Sequence, residues 1–208
     1  MFKLFITLIG SILLMTQAPA ANAAAPENTL ILELSSGGSV TIEMKPDVAP
    51  NHVERIKTLA SEGFYDGIVF HRVIDGFMAQ TGDPTGTGSG GSKLPDLKAE
   101  FNDTHHGRGS VSMARTNDPD SANSQFFICF KDCGFLNNQY TVWGQVTSGM
   151  EFVDKLAKGE PPANPDKIIS AKLAGEPALA EAPEVSSDTE EVVKKELMDA
   201  DDKSAVAQ

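Results

Sequence analysis

The chain has 208 residues, 17 basic against 29 acidic side chains for a formal charge of −12, 40% hydrophobic residues and two cysteines. So acidic a balance disfavours nucleic acid as a partner. The stretch between its two ends, about 150 residues, is long enough for one hydrophobic core without disulfide support.

Residues 1–23 read as a secretory leader: Lys3 supplies a positive start, Leu4 to Met15 an apolar run, and Ala21-Asn22-Ala23 a small-residue cleavage site, with Ala18-Pro19-Ala20 as the alternative. The apolar run is short for a membrane span and no cysteine follows it, so export without a membrane or lipid anchor is expected. The periplasm is the expected location, secretion beyond it the alternative. Residues 24–28 are a short linker.

Leu30, Leu32 and Leu34 alternate with polar or exposed positions, as do Val40, Ile42 and Met44, and Gly37-Gly38 joins the two runs. This pattern predicts a hairpin. Pro50 suits a first helical position, Val53, Ile56, Leu59 and Ala60 form a stripe, and Gly63 can end the helix.

The run from Phe70 to Asp83, FHRVIDGFMAQTGD, is the most informative in the chain. A strand over Val69 to Ile74, a turn at Asp75-Gly76 and a strand over Phe77 to Thr81 place Arg72 opposite Gln80. A guanidinium with fixed donors, a neutral amide, and the adaptable apolar wall of Phe77 and Met78 suit an uncharged, partly apolar group bearing carbonyl oxygens. His71 points to the opposite face from Arg72 and reads as a packed structural residue.

The glycine-rich stretch Gly86 to Lys93 lacks the ending of a phosphate-binding loop and reads as a flexible surface turn. His105-His106 diverge as neighbours and read as a solvent-exposed pair, so no metal site is expected. Further strands are expected over Ser110 to Arg115, Phe126 to Phe130, Val142 to Val146 and Lys167 to Leu173. Cys129 and Cys133 fit neither a zinc site nor the C-x-x-C redox motif and are expected as two unpaired thiols, a disulfide being the alternative. Ser148 and Glu151 match a capping box ahead of a second helix that Gly159 ends. From Ala174 to Gln208 the chain holds 10 acidic and 3 basic residues and reads as a mobile acidic tail, with a short helix over Thr189 to Met198 as an option.

Three runs taken together, FHRVIDGFMAQTGD, SMARTNDPDSANSQFFICF and Phe135 to Gly144, resemble the cyclophilin family of peptidyl-prolyl isomerases over roughly Thr29 to Leu173. Patterns alone indicate mostly antiparallel β structure with two helices; the resemblance implies an eight-stranded closed β-barrel capped by both. It also implies an enzyme that rotates X-Pro bonds in proline-containing, unfolded or partly folded polypeptides, as a monomer without cofactor or metal. Arg72 then takes the catalytic position. Phe77, Met78, Phe127 and Leu136 hold the proline ring, Gln80 and Gln125 hold the peptide, Tyr140 and Phe135 edge the groove, and the backbone of Ala114 and Arg115 adds a strand-like contact.

Phe135 stands where many eukaryotic members carry tryptophan, Tyr140 where many carry histidine, and Arg115 where asparagine is frequent. Loss of the indole N–H predicts weak inhibition by cyclosporin. Read without the resemblance, the four apolar residues fit ordinary core as well as a groove, although interleaved Arg72, Gln80 and Gln125 would be costly to bury without a ligand. Two non-enzymatic readings stay open: a chaperone that holds proline-containing segments without turnover, and a structural subunit of an envelope complex.

Overall fold

The computed structural model describes residues 25–175. The expected leader, and all but the first two residues of the expected acidic tail, lie outside them. Strands β1 (Thr29–Leu34) and β2 (Gly38–Met44) form the first hairpin, with Leu30, Leu32, Leu34, Val40, Ile42 and Met44 all turned into the core. Helix α1 (Pro50–Ser61) has Pro50 in its first turn and buries Val53, Ile56, Leu59 and Ala60, and Gly63 follows with φ 68°. Its first amides, from Asn51 and His52, donate to Glu100 at 3.1 Å each, so a carboxylate from a distant loop serves as the cap.

Strands β3 (Arg72–Ile74) and β4 (Met78–Thr81) make the second hairpin, turning at Gly76, whose φ of 65° is one that a side chain would resist. Strands β5 (Ser110–Met113), β6 (Phe126–Cys129), β7 (Val142–Ser148) and β8 (Ile168–Leu173) complete one antiparallel sheet in the order β3-β4-β6-β5-β7-β2-β1-β8. Inside its curve an edge-to-face aromatic row, Tyr65–Phe126–Trp143 with centroids 5.5 Å apart at each step, anchors the core. Among the described residues no helix is long and apolar enough to cross a membrane.

The sheet is a curled half-barrel and not the closed barrel expected. Strands β3 and β8 remain its two edges, and the gap between them is crossed only by the isolated Val69–Lys167 bridge and a few backbone bonds such as Phe70 N to Asp166 O at 2.8 Å. The cause is local: β3 begins at Arg72 and not at Val69, and its outer edge pairs at Val73 with Gly159 instead of with β8.

Helix α2 (Met150–Asp154) also departs from expectation. Ser148 is held in the β7 ladder opposite Thr41, so the helix is preceded by Gly149 and has no side-chain cap. It ends at Asp154, which leaves Gly159 free for its bridge to Val73.

Candidate active site

Successive side chains of a strand point to opposite faces, and on β4 and β6 both faces are apolar. Ala79, Phe126 and Ile128 enter the main core, whereas Met78, Phe127 and Cys129 form a second cluster on the outer face with Cys133 and Leu136. A single 3-10 turn, Gly134–Leu136, brings Leu136 and Phe135 over this second cluster. Between them lies a hollow of about 150 Å³ lined by Arg72, Phe77, Met78, Gln80, Ala114, Arg115, Phe127, Leu136 and Tyr140. The structure therefore gathers nine of the eleven expected site residues around one space. Gln125 and Phe135 stand just outside it.

The apolar wall is braced from behind. Phe127 meets Tyr140 edge to face at 5.7 Å and stacks on His106 at 6.3 Å. Phe135 tilts against Phe77 at 5.4 Å and is 66% exposed, so it forms a rim and not a wall.

On the polar side Arg72 pairs in register with Gln80. Gln80 Nε2 donates to Gln125 Oε1 at 2.9 Å, and Gln125 Nε2 donates to the carbonyls of Gly88 and Gly90 at 3.1 and 2.8 Å. Arg72 Nε donates to Glu160 Oε2 at 2.6 Å, and no other side-chain hydrogen bond of Arg72 occurs among the described residues. Its two terminal nitrogens have no hydrogen-bond partner among the described residues. Arg115 is placed differently: its three nitrogens donate to the carbonyls of Gln139 and Thr116, and its guanidinium lies 4.5 Å from the Tyr140 ring centre. It is a platform under Tyr140. The Ala114 amide is committed to Gln125 O at 2.9 Å and is not available for the strand-like contact expected there.

Two readings of the flanking residues change. The glycine-rich loop is not a loose surface turn but is wrapped around the carboxylate of Asp83. That group, 1% exposed, accepts from the amides of Thr85, Thr87, Gly88 and Gly90 at 2.6 to 3.1 Å and from the Thr85 hydroxyl at 2.8 Å. Burial alone would raise its pKa; the Thr85, Gly90 and Gly88 bonds outweigh that and hold the carboxyl well below the usual range. Amides that a phosphate loop would offer a ligand thus serve the chain's own anion.

His105 and His106 are not both exposed. His105 faces solvent and meets Asp132 at 2.8 Å, while His106 is fully buried between Asn137 and Ser112, and burial lowers its pKa. His71 is buried as expected, with neither ring nitrogen hydrogen-bonded among the described residues. Cys129 and Cys133 are free, buried thiols, both pushed up in pKa mainly by burial. Among the described residues no group of three or more His, Cys, Asp or Glu is placed to hold a metal.

Glu160 and Asp83 were invisible as site residues in the sequence. The bridge that brings Glu160 to Arg72 joins segments far apart in the chain, and Asp83 carried only the final position of a motif read for its other members.

Residues 29–173 match the family described as cyclophilin type peptidyl-prolyl cis-trans isomerase/CLD. A probable peptidyl-prolyl cis-trans isomerase of Brucella suis is 53% identical over 169 residues, covering 74% of this chain and 86% of that protein. Peptidyl-prolyl cis-trans isomerase B of Bacillus subtilis is 43% identical, covering 61% and 89%. Among solved structures, a cyclophilin of Hirschia baltica superposes with a TM-score of 0.69 at 32% identity, covering 75% of this chain and 77% of that one. A Cryptosporidium parvum cyclophilin type isomerase solved in the presence of the dipeptide Ala-Pro gives 0.65 at 27% identity, covering 70% and 98%. With its family match running from the first strand to the last, and relatives bearing the same activity, this chain belongs to the cyclophilin family and is a peptidyl-prolyl cis-trans isomerase.

Proposed function

We propose that the hollow between Arg72 and Phe127 takes the proline ring of an X-Pro segment, and that Arg72 supplies the catalytic hydrogen bond. The observation that carries this reading is the pairing of an apolar hollow of about 150 Å³ with a guanidinium at its rim whose terminal nitrogens are uncommitted. Rotation about the imide breaks no covalent bond, so no nucleophile, acid/base pair or metal is needed. The barrier is the loss of amide resonance, about 18–20 kcal/mol, which leaves the uncatalysed process at tens to hundreds of seconds. Millisecond turnover asks the protein for roughly 7 kcal/mol, at about 1.36 per tenfold.

In the twisted state the imide nitrogen becomes pyramidal and its lone pair accepts a hydrogen bond. A charged donor favours that state over the planar one, and differential binding of this kind is what lowers a barrier. Phe77, Met78, Phe127 and Leu136 hold the ring still while the acyl side rotates. Gln80 and Gln125, tied to each other and to the Gly88–Gly90 carbonyls, present a fixed amide edge to the peptide. Tyr140, resting on Arg115, closes the far side.

The clients we assign to it are exported polypeptides, a reading supported by the leader-like residues 1–23. Fractionation of cells expressing the full chain tests it: recovery of a shortened protein from the periplasm agrees, and an uncut cytoplasmic protein refutes it. The mechanism is tested by the cis-to-trans rate of a short X-Pro peptide with residues 24–208, beside Arg72→Ala. Client holding beside turnover is the second reading, favoured by the exposed rim at Phe135; it predicts client protection that Arg72→Ala leaves intact.

A further inference from the structure

The donor proposed for catalysis is not held by the neighbour that faces it. Gln80, opposite Arg72 in the ladder, gives its side-chain amide nitrogen to Gln125, and the only side-chain hydrogen bond of Arg72 among the described residues runs from Nε to Glu160. We infer that Glu160 is a positioning residue for isomerisation, which fixes the guanidinium by its inner nitrogen and leaves the two outer ones aimed for the imide.

The fold delivers this carboxylate by a specific device. Val73 and Gly159 exchange backbone bonds, N to O at 2.8 Å and back at 2.9 Å, which sets residue 160 beside residue 72 along the outer edge of β3. Gly159 has φ 148°, and a Cβ there would lie 2.6 Å from the Pro162 Cα and 2.8 Å from the Pro161 carbonyl oxygen, so the turn that makes this bridge needs glycine. The segment is tied down at both ends through Asp166, which accepts from the Ala157 amide at 2.9 Å and from the Ser35 hydroxyl at 2.8 Å. Glu160 is therefore held by backbone and does not reach Arg72 as a loose surface side chain.

Behind the pair there is room to go astray. A second hollow of about 520 Å³, lined by His71, Arg72, Gln80, Gly86–Gly88, Glu160 and Pro161, lies beside Arg72. Without Glu160 the guanidinium is free to swing into this space, away from the imide. The carboxylate also withdraws positive charge from the donor, which opposes catalysis. Both side chains are open to solvent, at 39% and 51% exposure, so water screens that electrostatic cost while the geometric restraint of a 2.6 Å bond is unaffected. Orientation is the larger effect, since small misplacements of a catalytic group cost rate steeply.

This assignment rests on Arg72 being the donor, and the experiment separates the two. Turnover of a short X-Pro peptide is measured for residues 24–208 carrying Glu160→Ala, Glu160→Gln, Arg72→Ala and the double change Arg72→Ala/Glu160→Ala, with the Arg72 Nε–H resonance followed by NMR and thermal unfolding as the check on folding. Glu160→Ala should lower kcat by about three- to tenfold with KM within about twofold. Glu160→Gln, whose amide oxygen still accepts from Nε, should restore most of the loss. The double variant should be no slower than Arg72→Ala, because the effect acts through the arginine. The Nε–H signal, protected from exchange in the parent, should be lost in Glu160→Ala and kept in Glu160→Gln. Unchanged or faster turnover in Glu160→Ala, or an equal loss in the Arg72→Ala background, would overturn the role of Glu160 alone. Full turnover in Arg72→Ala would overturn the donor reading and Glu160's role with it, whatever the resonance shows.

Discussion

The side chains of Arg72 and Gln80 stand opposite each other on β3 and β4 without bonding to each other, each turning to a partner from elsewhere in the chain, Glu160 and Gln125. The division keeps the amide edge and the cationic donor as separate, independently fixed tools on one hairpin. Arg72→Ala removes one tool and leaves the other. Loss of a single oriented donor typically costs about a hundredfold in turnover, and that is the expected fall in kcat, with peptide affinity changed by less than about threefold. Equal losses in both quantities would mean that Arg72 binds the ground state.

Turnover should be nearly flat across the neutral range, since no histidine lines the hollow, but stability should not be. Burial holds the imidazoles of His52, His71 and His106 below their ordinary range, in His52 outweighing the opposing bond to Glu100. The unfolded chain takes up protons at about pH 6.5 that the folded one refuses. Stability is thus fully present above that value and drains away as the pH falls through it, by up to about 4 kcal/mol per pH unit where all three contribute. Calorimetry from pH 8 to 5.5 checks this, and a flat midpoint would refute it.

Asp83→Asn strips the glycine-rich loop of its charged centre. The loss of charge-assisted bonds to a buried group should cost about 3 kcal/mol, equivalent to a fall of roughly 6 to 12 °C in Tm for a domain of this size. Because the carboxyl lies below the usual range in the fold, its contribution is complete above about pH 5 and is lost as the pH falls toward its folded value. The variant should therefore show a shallower decline of Tm in acid than the parent. Its turnover should also fall, since the Gly88 and Gly90 carbonyls that anchor Gln125 sit on that loop.

Phe135 provides no N–H at the exposed rim. Cyclosporin should inhibit this protein weakly, and Phe135→Trp should tighten binding by about tenfold, the value of one hydrogen bond of about 1.4 kcal/mol. Nanomolar inhibition of the parent would show that the rim is not what the drug reads.

Local chemistry was readable, and contacts between distant segments were not. The Asp75-Gly76 turn and the strand period placed Arg72 against Gln80 correctly, because both signals are contained within a dozen residues. Phe126 and Phe127 were both plainly apolar, and the family resemblance alone singled out Phe127 for the groove, because period-two reading cannot separate two faces that are equally buried. Ser148 carried a good capping signal and lost it to Thr41, a strand partner more than a hundred residues away. Closure of the barrel was carried over from the family resemblance, and the three residues of β3 are too few to reach β8.

Strand β6 is interior to the sheet, bonded on both sides, with all four of its residues buried. Its amides can exchange with deuterium only when the hydrogen-bonded neighbours on either side part, which is an opening of the whole domain and not of a lid. Softening of the Phe127 wall should therefore coincide with the parting of the sheet's interior strands. The protein's heat-inactivation curve should then lie on top of its unfolding curve.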